Sequence, residues 1–398
     1  QEQNLLDIGR SILELGIHGD GPHRAARQLL LRQPPVIEGH PFGADLDPER
    51  DAPAAARRHV LNLDRSVLAI QGPPGSGKTY TGARMILDLV AAGKKVGVTA
   101  NGHKVIGKLL DDVVAAAAEA GRIVRIGQKP GRNEAPTCDA AASMDNGAVA
   151  QALVVDEVDV VGGTGWLWAR PELAGLVDVL FIDEAGQFSL ANSLAVSPAA
   201  ASMVLLGDPQ QLDQPVQGSH PVGAERSALA HLLGPDHKVM PKDLGLFMER
   251  TWRLHPAICD YTSEVFYESE LLPEPGNERQ ALRGVGTATG EGIRFVAVEH
   301  GNARNDNESP EEAAVIAEIV CDLLDGRGDW TNRDGTTQPT DADDILVITP
   351  YNAQRKRIGA ELAARGGACA DVEVGTVDKF QGQQAPVSIY SMATSRPE

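Results

Sequence analysis

Between about residues 60 and 235, short runs of apolar residues alternate with stretches of helical periodicity. The apolar runs are Val67–Ile70, Val96–Thr99, Val179–Ile182 and Val204–Leu206. Runs that are apolar at nearly every position predict strands buried on both faces, and the stretches between them predict the helices that cover a parallel sheet. A second alternation follows. Ile293–Val298 is strand-like. Ser309-Pro310-Glu311-Glu312 opens a helix with an N-cap serine, proline at the first helical position and a capping-box glutamate. Ile345–Thr349, Asp371–Gly375 and Val387–Tyr390 are further strands. Helical patterns around Leu5–Leu15 and His23–Arg32, each ended by Gly/Pro punctuation, occupy the first fifty residues. Gly326–Asp344 is polar and rich in Gly, Asp and Thr, which predicts a mobile surface loop. The expected fold class is α/β, with two lobes built on parallel sheets. Residues 1–50 form a helical arm or the tail of an upstream module, 51–235 the first lobe and 236–398 the second, with the changeover near Gly234-Pro235.

Composition narrows this picture. A chain of 398 residues that is 42% hydrophobic can build two or three cored domains. No apolar run reaches the length of a membrane span, so the expectation is a soluble protein with no membrane partner. The chain starts at Gln1 with no secretory apolar region behind it, as an excised or processed piece would. Cys138, Cys259, Cys321 and Cys369 are scattered without a C-x-x-C pair. That argues against zinc, an iron–sulfur cluster or a disulfide framework, and suits a reducing cytoplasm. The net charge of −19 leaves room for only a narrow basic track on any nucleic-acid binder, and composition alone favours a metabolic enzyme.

The sharpest chemical signal is Gly72-Pro73-Pro74-Gly75-Ser76-Gly77-Lys78-Thr79. It fits G-x-x-x-x-G-K-[ST] in full, between the apolar run Val67–Ile70 and the helix-compatible run Tyr80–Ala92. A bland Gly/Pro turn would not need that whole pattern in a strand–loop–helix frame. Glycines let backbone N–H groups approach phosphate oxygens, and the new helix adds its positive end. Lys78 then reaches the β- and γ-phosphates of a nucleotide, and the Thr79 hydroxyl holds Mg²⁺. Such a loop needs an acidic partner at another strand end. Leu153-Val154-Val155-Asp156-Glu157 and Leu180-Phe181-Ile182-Asp183-Glu184 are nearly equal by local pattern. The second is preferred because Ala185-Gly186-Gln187 follows it, and Gly207-Asp208-Pro209-Gln210-Gln211-Leu212 comes one strand later. Asp183 is assigned to Mg²⁺, Glu184 to the attacking water and Gln211 to sensing the γ-phosphate.

These residues resemble motifs I, II and III of superfamily 1 helicases, and the resemblance runs on. Val98–Lys104 sits where motif Ia belongs. Glu249-Arg250-Thr251-Trp252-Arg253-Leu254-His255-Pro256 resembles the motif that opens the second lobe. Ile348–Gln354 and Val374–Gly382 match two later motifs. The set is similar to the 1B branch, the nonsense-mediated-decay helicase type, and to bacterial helicases fused behind a RecB-like nuclease. It implies two RecA-like P-loop lobes that bind ATP and Mg²⁺, with single-stranded nucleic acid, DNA more than RNA, running across both in a 5′ to 3′ motor. On the same resemblance, Arg253 contacts the γ-phosphate from the second lobe and Trp252 lies against the adenine. Gly382 closes on the phosphates and Gln384 takes the ribose. Thr349, Thr376, Thr164 and His103 touch the strand backbone. Any nuclease module would lie upstream of Gln1.

The departures carry weight too. Ala54-Ala55-Ala56-Arg57-Arg58 stands where the family has an adenine-reading glutamine, so base selectivity should be relaxed. Gln384 replaces a glutamate, and Gly102 a serine. Ser395-Arg396 comes too early to be the family's last motif, so the second lobe is expected to stop before the arginine finger and hydrolyse ATP poorly. Two rivals stay open: a translocase that remodels without unwinding, and a nucleotide-regulated binding module without turnover.

Overall fold

A computed structural model describes residues 1–19, 21–212, 223–224, 226–284, 288–301, 305–380 and 382–394. They form two compact units, one of Gln1–Arg253 with Thr262–Leu272, the other of Leu254–Tyr261 with Pro273–Glu398. The division falls later than Gly234-Pro235, because β8 (below) and the segment after it belong to the first unit.

The first unit is organised by an eight-stranded sheet: β1 (Val67–Gln71), β2 (Val96–Thr99), β3 (Ile126–Gln128), β4 (Ala142–Ser143), β5 (Val160–Gly162), β6 (Val177–Ile182), β7 (Ala200–Gly207) and β8 (Gly245–Phe247). The order is β4-β3-β5-β2-β6-β7-β1-β8, and every pairing is parallel. Side chains alternate between two cores, as the two-unit repeat of a strand requires. Val67 and Ala69 of β1 join one core; Leu68 and Ile70 join the other. Leu180 and Ile182 of β6 face the first, Val179 and Phe181 the second. This is why the four central strands read as unbroken apolar runs. Helices Lys78–Ala91 and His103–Glu119 cover one face. Helices Leu190–Val196 and Ala228–Leu233 cover the other. No helix among the described residues is long and apolar enough to cross a membrane.

The expected N-terminal arm is built into this unit. Ile8, Ala25, Ala26 and Leu29 enter its core from helices Glu2–Leu15 and Arg24–Leu31. The Asn4 side chain donates to the carbonyls of Ala169 (3.1 Å) and Ala195 (2.7 Å).

The second unit contains a three-stranded parallel sheet, with Ile345–Thr349 between Glu373–Thr376 and Val387–Tyr390. Helices Pro310–Asp322 and Asn352–Arg365 pack on it through Ala313, Ile316, Ala317, Ile358 and Leu362. Ser309 caps the first helix as expected, its hydroxyl accepting from the Glu312 amide at 3.1 Å. The reciprocal half of the capping box is absent. The Ser309 amide donates to Gln354, and the Glu312 carboxylate instead accepts from the Ser391 hydroxyl (2.6 Å) and the Ala393 amide. Glu312 thereby ties down the chain leaving the last strand.

Three expectations are corrected here. Ile293–Val298 forms no strand and pairs with none among the described residues; its apolar side chains stay in solvent, Ile293 60% and Phe295 82% exposed. Gly326–Asp344 is not a bare loop. Asp329–Thr331 and Thr337–Pro339 form a hairpin that adds to Ala281–Arg283, closed by an Asn332 side chain that accepts from the amides of Asp334 and Thr336. Cys321 and Cys369 are disulfide-bonded, with Cα atoms 5.5 Å apart. Forty-eight residues separate them, so the fold and not the spacing brings them together.

Phe181 has no solvent exposure and lies in a central strand. Phe181→Ala is expected to destabilise the first unit by about 3–5 kcal/mol, read as a lower urea midpoint at unchanged slope.

Candidate nucleotide-binding site

The site is assembled at the carboxyl edge of the first unit's sheet, where ligands of open α/β sheets bind. β1 leads into Gly72–Thr79, and the Gly72 amide donates to the Gly207 carbonyl of neighbouring β7 at 2.9 Å. The loop turns back through a bond from the Ser76 amide to the Pro73 carbonyl, and helix Lys78–Ala91 starts at Gly77 with no side-chain cap. Its first amides are therefore left to face an anion. Lys78 Nζ donates to the Gly72 carbonyl at 2.6 Å, which keeps the ammonium inside the loop.

The segment after β8 lies directly on this loop. The Thr251 hydroxyl donates to the Pro74 carbonyl (2.8 Å) and the Trp252 amide to the Gly75 carbonyl (2.8 Å). Gly75 has φ +74°, and a Cβ there would lie 2.3 Å from Arg253 Cβ. Only glycine fits. Arg253 is thus the last residue of the first unit's main segment, not a group reaching from the second lobe. Burial lowers its guanidinium pKa. Trp252 is half exposed beside the loop.

Asp183 and Glu184 leave the end of β6. The Asp183 amide donates to the Thr99 carbonyl at 2.8 Å, and its carboxylate accepts from the Glu184 amide at 2.9 Å. Asp183 is 3% exposed, and its carboxyl is pushed up to about 7, first by burial and then by Glu184, against the pull of Lys78 and Lys108. Glu184 has φ +52°, a left-handed conformation uncommon outside glycine. Gly186 and Gly207 let the two strand ends meet: a Cβ on Gly186 would lie 2.3 Å from the Asp208 carbonyl oxygen. Asp208, 2% exposed, accepts from Gln211 Nε2 (3.0 Å), the Gln210 amide (3.1 Å) and the Tyr267 hydroxyl (2.6 Å). Sequence reasoning missed Tyr267, which directly follows helix Pro256–Phe266; its one signal was the adjacent aromatic pair Phe266-Tyr267.

The rival acidic pair is elsewhere. Val154 ends a helix, Asp156 is an exposed left-handed residue paired with Lys95 at 2.7 Å, and both acids precede β5 at the sheet's amino edge. Ala55 and Ala56, where an adenine-reading glutamine was sought, are fully buried in helix Ala52–Leu61.

The nucleic-acid candidates fall on strand ends. His103 opens helix His103–Glu119 after β2, with its ring Nδ1 buried and unpartnered and its pKa lowered by burial. Thr164 follows β5 as the N-cap of a short helix, its side chain making no cap bond. In the second unit Thr349 and Thr376 are register partners, with Thr349 Oγ1 buried and unpartnered. Gly382 (φ +77°) and Gln384 are exposed. Gln381 and Ser395-Arg396 lie outside the described residues.

The donor set suits a nucleotide and a hard cation: an ammonium folded into the loop, uncapped helix amides, the Thr79 hydroxyl, and a buried carboxyl that burial and Glu184 push toward the neutral form. Thr79 and Asp183 are the residues that would hold the metal.

Three relatives set the context. The chain is 26% identical to the Arabidopsis thaliana "DNA replication ATP-dependent helicase/nuclease JHS1" over 99% of its length and 29% of that protein's. It is 23% identical to the Schizosaccharomyces pombe "DNA polymerase alpha-associated DNA helicase A" over 82% of its length and 56% of that protein's. It is 27% identical to the Mus musculus "5′-3′ DNA helicase ZGRF1" over 61% of its length and 13% of that protein's. The chain thus spans from about an eighth to just over half of these relatives.

Two measurements probe this geometry. Gly75→Ala is expected to lower affinity for a fluorescent ATP analogue tenfold or more and to cost about 1–3 kcal/mol of stability. Gly102→Ala, which meets open space, should change neither. For Asp183 the unfolded carboxyl ionises near 3.9 and the folded one near 7, so the native state holds the extra proton between those values. Metal-free protein should lose stability as pH rises from about 4 to 7, and Asp183→Asn should remove that loss. Thermal melts across this range are the check.

Residues 51–224, which carry the Gly72–Thr79 loop, and residues 228–398 each match a family model described as "AAA domain".

Proposed function

We propose that this chain is the motor of an ATP- and Mg²⁺-dependent superfamily 1B helicase or translocase, moving 5′ to 3′ on single-stranded nucleic acid, DNA in preference to RNA. The observation that carries the reading is the gathering of Lys78, Asp183, Glu184, Gln211 and Arg253 around the ends of β1, β6, β7 and β8. The names of the relatives support DNA as the track, and one of them supports the polarity. The helicase/nuclease among them supports a nuclease module elsewhere in the full protein.

Each residue has a distinct task. Lys78 supplies a point charge to the β- and γ-phosphates, and the amides of Gly75–Thr79 bind their oxygens. Thr79 and Asp183 would hold Mg²⁺, which when bound would supply charge neutralisation to the phosphates. Glu184 accepts the proton of the attacking water; its left-handed backbone turns the residue away from the line of β6. Arg253, seated on Gly75, offers positive charge to the γ-phosphate. Trp252 gives the base a stacking face without edge recognition, which leaves selectivity among bases low. His103, Thr164, Thr349 and Thr376 bind the sugar-phosphate backbone of the strand, positioning it without reading sequence.

Lys78→Ala is expected to abolish nucleotide binding. Glu184→Gln should retain it while lowering single-strand-stimulated phosphate release about a hundredfold or more. Strand displacement should start from a 5′ overhang and not from a 3′ overhang. Damage from Asp156→Asn equal to that from Asp183→Asn would overturn the site. Phosphate release without strand displacement would favour the remodelling translocase.

A further inference from the structure

We propose that Tyr267 is a positioning residue for the γ-phosphate sensor: its hydroxyl holds the Asp208 carboxylate so that Gln211 can leave Asp208 for the terminal phosphate. The inference rests on the reading of Gln211 as that sensor.

Asp208 is a buried carboxylate with three donors. One is the backbone amide of Gln210, which is fixed. One is the side chain of Gln211, which is half-buried, whereas Tyr267 is buried. The third is the Tyr267 hydroxyl, which shares Oδ2 with Gln211 and makes the shortest bond of the set, 2.6 Å. A carboxylate stripped of donors in a buried site is costly. With Tyr267 in place, Gln211 can swing away and leave Asp208 with two donors. Without the hydroxyl, the same movement leaves a single amide. Ring packing alone would need only phenylalanine at this position.

The tyrosine is anchored for such a task. It is 2% exposed, and its ring lies 6.0 Å from that of Phe247 on β8. Burial, and then Asp208, raise its pKa, so it stays a donor at every working pH. Its segment is tied back to the P-loop strand through Lys238. The Lys238 amide donates to Glu268 (2.6 Å) and its ammonium to the Val265 carbonyl (2.7 Å). The Lys238 carbonyl accepts from Gln71 of β1 (2.9 Å) and from Gln210 (3.2 Å). Tyr267, Asp208 and the end of β1 therefore form one hydrogen-bonded frame, and Gln211 is its movable member.

The test is calorimetric titration of this chain with Mg²⁺ and either ADP or a non-hydrolysable ATP analogue. Tyr267→Phe is expected to weaken the ATP analogue about tenfold and leave ADP within about twofold, because ADP asks nothing of Gln211. In a Gln211→Ala background, Tyr267→Phe should have no further effect. Asp208→Asn, whose neutral side chain releases Gln211 more easily, should keep or raise the preference for the ATP analogue over ADP. Equal weakening of both nucleotides by Tyr267→Phe, additivity with Gln211→Ala, or a lower preference in Asp208→Asn would each overturn the inference. If Gln211→Ala erases the preference while Tyr267→Phe leaves it intact, only the inference falls. If Gln211→Ala leaves the preference unchanged, the reading of the sensor falls and the inference with it.

Discussion

At the carboxyl edge of the large sheet, three stretches of backbone come closer together than a side chain allows. Gly75 lies against Arg253, Gly186 against the Asp208 carbonyl, and Gly207 against the amides of Ala185 and Gly186. Each approach replaces side-chain packing by direct contact of main chains. Polar backbone groups that would otherwise be solvated are paired across the contacts: Ala185 N–H to Leu206, Trp252 N–H to Gly75, Gly72 N–H to Gly207. The result is a rigid rim from which Lys78, Asp183, Glu184 and Arg253 project. Their relative placement is set by backbone geometry, which varies less than side-chain rotamers do.

Within this rim two adjacent carboxylates are given unlike surroundings. Asp183 is sealed in, bonded to its own neighbour's amide, and driven toward the neutral form by burial. Glu184 takes the left-handed turn and is less enclosed. A buried, partly protonated acid gains most from a cation, which suits a metal ligand. A less enclosed acid beside it can exchange protons with water. The division of labour proposed for them rests on environment, since the two side chains differ by only one methylene.

Much of this was legible in the amino-acid sequence, for a physical reason. Strands buried on both faces must be apolar at successive positions, so Val67–Ile70, Val96–Thr99 and Val179–Ile182 announce themselves, and the glycine-rich loop after the first is fixed by phosphate geometry. The edges were harder. Thr337–Pro339 is exposed and polar and Asp329–Thr331 offers only a half-buried Trp330, so the hairpin reads as loop; Ile293–Val298 has strand-like residues but pairs with no strand among the described residues. Val154 and Val155 mimic a strand end but close a helix, with side chains in solvent. Long-range partners were not legible at all. Nothing near Tyr267 announces Asp208, nothing near Glu312 announces Ser391, and nothing near Cys321 announces Cys369. Arg253 lies within the motif expected to open the second lobe, yet its backbone is seated on the P-loop.

The order of the strands bears on how the protein is made. β1 is the first strand of the sheet to leave the ribosome, but its two neighbours are β7 and β8, with Ile70 aligned to Leu206 on one side and to Leu246 on the other. During synthesis β1 and the P-loop emerge while both partners are still untranslated, and the strands made in between, β2 to β6, pair among themselves and not with β1. Closing such distant pairings carries a high loop-entropy cost before any ladder forms. The nucleotide pocket is therefore finished late, once the chain through Arg253 is out. Until then β1 presents two apolar faces and two unpaired edges, the kind of segment on which chaperones and misassembly compete.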